Sequence, residues 1–246
     1  MSSINRFGLT RTIPASVKLA VRRACGFGCV ICGGGIVDYE HVNPEFKDAR
    51  SHDPAGIALL CPSCHAMVTR KQWSKARVKL AMRSPASLQV GAARQFFDFC
   101  EGMPVLKLGD NALFGCEVLI HFHGYDLFTI KPPEEPGAPF RLSGLFTDSE
   151  GKVTLEIIDN EWLAHSSSWD VEVVGPRITI REGEKNIALV LKSEPPSYLV
   201  VEKLNMNLDG YRISVSGNEL RLQNRRGGVN IIKGCAISGR TALAIM

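Results

Sequence analysis

Cys29-Val30-Ile31-Cys32 and Cys61-Pro62-Ser63-Cys64 are two CxxC pairs separated by 28 residues. Each pair forms a knuckle whose two thiolates reach one metal, and two knuckles complete a tetrahedral four-sulfur zinc site with no position left for water. A closed site of this kind is structural, and its metal binding contributes directly to the folding of a region short of apolar residues. A redox reading fits badly, because there are two pairs rather than one dithiol. Cys25 lies four residues before Cys29 and is the weaker candidate ligand. Between and just after the knuckles lie Glu40-His41-Val42-Asn43-Pro44 and His65. Imidazole titrates near neutral pH, so these histidines are candidates for proton transfer.

The elements that must position these groups follow from hydrophobic period and turn residues. Ala15 to Ala24 is expected to be a helix, with Val17, Leu19, Ala20 and Val21 beside basic Lys18, Arg22 and Arg23. A short strand is expected over Ile36 to His41, and Pro44 ends it. Ile57 to Leu60 leads into the second knuckle. His65 to Met82 reads as helical, with Met67, Trp73, Val78 and Leu80 as core candidates. Ser84-Pro85 then opens a connecting helix that places Leu88, Ala92, Phe96 and Phe99 on one face. Beyond Gly102 and Pro104 the period switches from about 3.6 to 2. Strand-like runs follow, among them Glu117 to Phe122, Leu127 to Lys131, Lys152 to Ile158, Arg177 to Arg181, Ile187 to Lys192 and Glu219 to Gln223, joined by turns such as Asp209-Gly210.

The expected class is α+β, with a zinc module over 1–83, a helical connector over 84–104 and an all-β domain over 105–246 arranged as a sandwich or as solenoid rungs. His121 and His123 alternate along one strand and are expected on one face. The chain has 246 residues, 45% of them hydrophobic and 22% charged, which excludes collagen-like and wholly disordered chains. Its net charge of +4 is unevenly spread: residues 1–102 hold 14 Lys or Arg against 7 Asp or Glu, and residues 103–246 hold 15 against 18. The basic first part suits a polyanion partner, and the acidic remainder argues against a nucleic-acid groove along the whole chain. No apolar run is long enough for a membrane helix, and Met1 to Arg11 lacks the core of a signal peptide, so the default expectation is a cytoplasmic protein without a membrane partner.

Residues 22–75 resemble the zinc-containing HNH endonuclease family. The resemblance rests on Cys29 and Cys32, the acid-histidine pair Glu40-His41 with Pro44 three residues on, and Leu59-Leu60-Cys61-Pro62-Ser63-Cys64-His65. It implies a β-hairpin followed by a helix around one divalent ion, and hydrolysis of phosphodiester bonds in DNA. By that resemblance His41 is the general base, Glu40 and His65 hold a catalytic Mg²⁺ or Mn²⁺, and the four cysteines hold a structural Zn²⁺. Arg70 and Lys71, a turn beyond His65, are candidates for neutralising phosphates. Where the family has asparagine, five residues before Cys61, this chain has Gly56. Asn43, His52 and Asp53 are the candidates to stand in for it, His52 and Asp53 favoured because they lie just before Gly56.

The β-rich part carries no nucleophile elbow, phosphate loop or further metal cluster in its sequence and is read as a targeting, regulatory or self-association module. By analogy with nuclease modules fused to sensing domains, a role in prokaryotic antiviral defence or restriction is expected. The alternative is a zinc-stabilised nucleic-acid or protein-binding module without catalysis, which Gly56 would permit.

Overall fold

In a computed structural model, residues 4–100 and 102–245 are described. Two compact units emerge: Met1–Gln95 together with Ala164–Glu172, and Phe96–Leu163 together with Val173–Met246. Strand dominates helix along the chain.

The first unit begins with helix α1 (Ala15–Ala24), as its apolar spacing predicts. Its basic flank does not all face water. Arg22 is buried and forms a bidentate pair with Asp170, Nε to Oδ1 at 2.8 Å and Nη2 to Oδ2 at 2.7 Å. Strand β1 (Asp38–His41) starts two residues later than the apolar run predicts, and it pairs antiparallel with β2 (Ile57–Leu60) in the register Glu40↔Ala58 and His41↔Ile57. β2 is buried along its whole length, so its unbroken Ile-Ala-Leu-Leu run matches a strand covered on both faces. Its core partners include Val21, Val30, Val42, Val68 and Val78.

Two helices replace the single one expected over His65 to Met82. α2 (Pro62–Thr69) ends at Arg70, the chain turns through Lys71 at φ +61°, and α3 (Lys75–Ala81) starts at Ser74, whose Oγ accepts from the Arg77 amide at 3.3 Å. The break rotates the following face, so Leu80 is exposed while Val68 and Val78 are buried. The expected connector is also shorter: α4 (Ala86–Val90) stops at Gly91, in the left-handed region at φ +87°. Ala92–Phe96 then runs as strand β3, leaving Leu88 and Phe96 exposed.

The second unit is built from strand β4 (Val105–Leu108), β5 (Asn111–Leu113), β6 (Val118–Phe122), β7 (Tyr125–Lys131), β8 (Arg141–Thr147), β9 (Val153–Ile158), β10 (Glu161–His165), β11 (Asp170–Val174), β12 (Arg177–Arg181), β13 (Ile187–Glu194), β14 (Tyr198–Leu208), β15 (Tyr211–Ser216), β16 (Glu219–Gln223), β17 (Val229–Lys233), β18 (Ala236–Ile237) and β19 (Thr241–Ile245). β10 and β11 carry the chain into and out of the Ala164–Glu172 excursion. One sheet runs in the spatial order β19-β6-β7-β8-β9-β10, and the other is a meander from β12 to β17 with β4 laid parallel to β14. The registers Ile178↔Leu191 and Val215↔Leu220 are antiparallel, which replaces the solenoid reading, since solenoid rungs stack in parallel. Alternation along β14 buries Leu199, Val201, Leu204 and Met206. Thr147 Oγ1 donates to Asn207 O at 2.5 Å and ties the two sheets together. His123 lies in the turn after β6 at φ +43°, so it does not share a strand face with His121. His121 instead bonds Asp126 at 2.7 Å. No helix among the described residues is long and apolar enough to cross a membrane.

Candidate functional site

The cysteine knuckles are set by two different local structures. Cys29 and Cys32 sit on a tight loop closed by Gly33 N to Cys29 O and Cys29 N to Gly34 O, both 2.8 Å, with Gly33 at φ +79°. Cys61 is the N-cap of α2; its Sγ accepts from the Cys64 amide at 3.4 Å, and Pro62 occupies the first helical position, where no N–H is needed. The four Sγ atoms lie within 4.8 Å of one another, and Cys32 and Cys61 are 3.5 Å apart. Zn–S bonds of about 2.3 Å put tetrahedral sulfurs about 3.8 Å apart, so this thiol cluster fits a zinc-type ion.

Without a cation the cluster is electrostatically awkward. Burial, followed by the neighbouring Cys29 and Cys61, pushes the Cys32 thiol up to about 11. Burial and Cys29 push Cys64 up further. For Cys61 burial acts upward, but the Cys64 amide and the surrounding thiols outweigh it and bring the group below its ordinary value. A dication reverses this balance by holding the sulfurs as thiolates. Cys25 stands outside the cluster. Its thiol is buried in the core and pushed up to about 11 by that burial, as befits a neutral packing group.

A second cluster forms on the β1–β2 hairpin. Successive residues on a strand point to opposite faces, so adjacent Glu40 and His41 take different partners. Glu40 meets α2 and α3: His65 Nε2 lies 3.0 Å from Oε2, and Lys75 Nζ donates to Oε1. Lys75 also donates to the His41 carbonyl at 2.6 Å. His41 turns toward the loop, with its Nε2 3.0 Å from His52 Nδ1 and its ring edge against Phe46, centroids 5.4 Å apart. Burial lowers the His41 pKa from 6.5, and His52, Lys75 and Arg11 add to this against the opposing Glu40. His41 is therefore a neutral imidazole at pH 7. The two rings share one hydrogen-bond proton, and His52 Nε2 is buried without a partner.

Gly56 has a definite reason to lack a side chain. A Cβ there would lie 2.2 Å from Asn43 O, and the Gly56 carbonyl accepts from Val42 N at 2.8 Å and Asn43 N at 3.2 Å. The backbone of this position is thus locked against the segment following His41, and no asparagine fits. His52 reaches His41 from the same loop. Asp53 does not: its Oδ1 accepts from Ala55 N at 3.0 Å, capping the turn Pro54–Gly56, and the residue is exposed. Asn43 is also exposed. Arg70 and Lys71 lie exposed at the end of α2.

The structure thus brings Glu40 to His65 and His41 to His52, while the only gathering of three or more His, Cys, Asp or Glu ligand atoms among the described residues is the four-cysteine cluster. Glu40 and His65 offer one carboxylate and one imidazole. Two donors fall short of the four-ligand gathering formed by the cysteines, and both Glu40 oxygens already have protein partners in His65 and Lys75.

Lys75 and Arg11 belong to the site and are not evident from motif spacing. The signal for Lys75 was the cap residue Ser74, which starts a new helix and aims its first side chain back at the hairpin. Arg11 places its guanidinium carbon 4.4 Å from the centroid of the Phe46 ring. Comparison of the chain with protein-family models, curated proteins and solved structures returns no match.

Proposed function

We propose that the first unit is a divalent-ion-dependent endonuclease of the HNH type that hydrolyses phosphodiester bonds in DNA, with the β-rich unit targeting or regulating it. The observation that supports this best is His41: a neutral imidazole at the end of β1, hydrogen-bonded to His52 and next in the chain to the Glu40–His65 pair. Burial lowers the His41 pKa and so favours the neutral imidazole, the form that takes a proton from water as a general base does. His52 orients the His41 ring and offers its own nitrogen for the transferred proton. Glu40 and His65 would hold Mg²⁺ or Mn²⁺, which when bound supplies Lewis-acid polarisation of the phosphoryl oxygen. Lys75 pairs with the Glu40 carboxylate and fixes the His41 backbone. Zinc, held by Cys29, Cys32, Cys61 and Cys64, anchors the loop before β1 to the start of α2.

The reading is tested by incubating supercoiled plasmid with Mg²⁺, with Mn²⁺ or with neither, using wild-type and His41→Ala protein of equal zinc content. Nicking that needs the divalent ion and is lost in His41→Ala supports the proposal. A second reading, a zinc-stabilised nucleic-acid-binding module without catalysis, draws on the Lys75 ammonium already seated on Glu40. It predicts DNA binding with no nicking under any ion.

A further inference from the structure

Between the end of α1, the Pro54–Ile57 segment and α3 lies a cavity of about 300 Å³. Its wall includes Val42 and Asn43, the two residues that follow His41, and its rim carries Lys79 and Arg83. None of the described lining residues is acidic. Lys79 and Arg83 are exposed, and neither forms an ion pair or side-chain hydrogen bond among the described residues. Its interior is apolar on the sides of Ala24, Val42, Ile57 and Met82. The Asn43 carboxamide makes no hydrogen bond to the described protein, so both its donor and its acceptor are available. Lys75 and Lys79 stand about one turn, 5.4 Å, apart on one face of α3, and Arg83 follows in the turn just past the end of that helix. That face leads from Glu40, where Lys75 binds, to the cavity rim.

We infer that this cavity is a nucleotide subsite: Lys79 and Arg83 receive a phosphate, the flat ring enters between Ala24, Val42, Ile57 and Met82, and Asn43 reads the edge of the base. The charges carry the phosphate assignment, because two unpaired cations at an opening without carboxylates favour an anion. The apolar interior and the single carboxamide carry the ring, since small-molecule sites combine apolar walls with a few placed polar groups over roughly 300–1,000 Å³. The same chemistry has two sources, one nucleotide of a bound strand or a free mononucleotide. The strand case rests on the nuclease reading and extends it to positions beyond the hairpin.

The test uses the full-length, zinc-loaded protein without added divalent ion, so that no cleavage is involved. Binding is measured for a nucleoside 5′-monophosphate, the matching nucleoside, inorganic phosphate, a labelled single-stranded oligonucleotide and an abasic strand of equal length. Wild type is compared with Lys79→Ala/Arg83→Ala and with the charge-conserving Lys79→Arg/Arg83→Lys, all at equal zinc content and equal far-ultraviolet dichroism. If the subsite takes free nucleotide, the monophosphate binds at least about tenfold tighter than nucleoside or phosphate, the scale of one charge-assisted contact, and the alanine pair removes that advantage. If the subsite serves a strand, the alanine pair weakens oligonucleotide binding about tenfold, lowers the salt slope by about 0.7 per lost phosphate contact, and the abasic strand binds correspondingly weakly to wild type. In both cases the charge-conserving pair restores most of the binding. The inference is overturned if the alanine pair changes neither ligand, or if phosphate alone and an abasic strand bind as well as their base-bearing counterparts. An absence of nicking in the plasmid assay alongside either positive outcome would remove the nuclease and leave the subsite standing.

Discussion

Replacing Gly56 by asparagine restores the residue found at this position in the family the hairpin resembles, and the geometry predicts that it damages the protein instead of activating it. A Cβ at this position lies 2.2 Å from Asn43 O, and atoms of this kind need at least 3.0 Å, so backbone must move by at least about 0.8 Å. The obstacle is a main-chain oxygen and cannot rotate away. Movement there also strains two hydrogen bonds, from Val42 N and Asn43 N to Gly56 O. Two lost bonds at about 1 kcal/mol each, with about 1–3 kcal/mol of overpacking, give a loss of about 3–5 kcal/mol. For a unit of this size that corresponds to a fall in Tm of about 10 °C or more. Gly56→Ala carries the same Cβ without the amide, so it should lose nearly as much, which separates steric cost from side-chain chemistry. Urea and thermal unfolding, followed with zinc content and nicking on the same samples, provide the assay. Wild-type stability in Gly56→Asn together with faster nicking would refute the reasoning, since it would mean that the Asn43 carbonyl yields at no cost.

Other perturbations reach different parts of the molecule. Cys25→Ser should leave zinc at one equivalent while Cys61→Ser loses it, read by atomic absorption; equal loss from both would place Cys25 among the ligands. The lowered pKa of His41 means that folding favours its neutral form, so its contribution to stability is present above pH 6.5 and lost as pH falls through the folded value. By the same shift, the acid limb of kcat/KM for plasmid nicking should fall below 6.5, and a limb above that value would contradict the assignment of His41 as base. Asp170→Asn removes the bidentate carboxylate from buried Arg22 and leaves Glu172, 3.0 Å from Nη1, to balance the charge, with side-chain exposures of 8% for the arginine and 2% for the aspartate in the wild type. The expected loss is about 3–5 kcal/mol in urea unfolding, and a change below about 1 kcal/mol would show that Tyr39 and Glu172 suffice to hold the guanidinium.

What could be read in advance depended on whether the deciding contact was local. Cys29 to Cys32 and Cys61 to Cys64 were legible because three-residue spacing alone brings two thiols to one ion, and the cluster appears as expected. α1 and the boundaries of β12 and β16 were likewise fixed by nearby residues and fall where pattern and turns put them. Leu88, Ala92 and Phe96 share a helical period, yet Gly91 breaks it by taking a conformation that favours glycine, and the chain continues as β3. Leu80 was misassigned for a similar reason, because the turn at Lys71 resets the phase of the helix. The partners of Glu40 and His41 were only half legible. His65 and His52 stood out as histidines, but Lys75 is an ordinary lysine until the fold carries it to the carboxylate. Arg22 lay beyond any local reading: its counter-ion is 148 residues away.

That distance has a consequence for the order in which the protein is made. The chain leaves the first unit after Gln95 and comes back only for Ala164–Glu172, so the residues that neutralise Arg22 are synthesised long after α1 and both zinc knuckles. An N-terminal piece released from the ribosome early can gather its four thiols around a metal and still hold an unmatched guanidinium in its interior. Completion of the candidate nuclease thus waits on translation of much of the β-rich unit. A prematurely terminated product would be an unfinished first unit, and a single protease cut between the units could not separate a whole one.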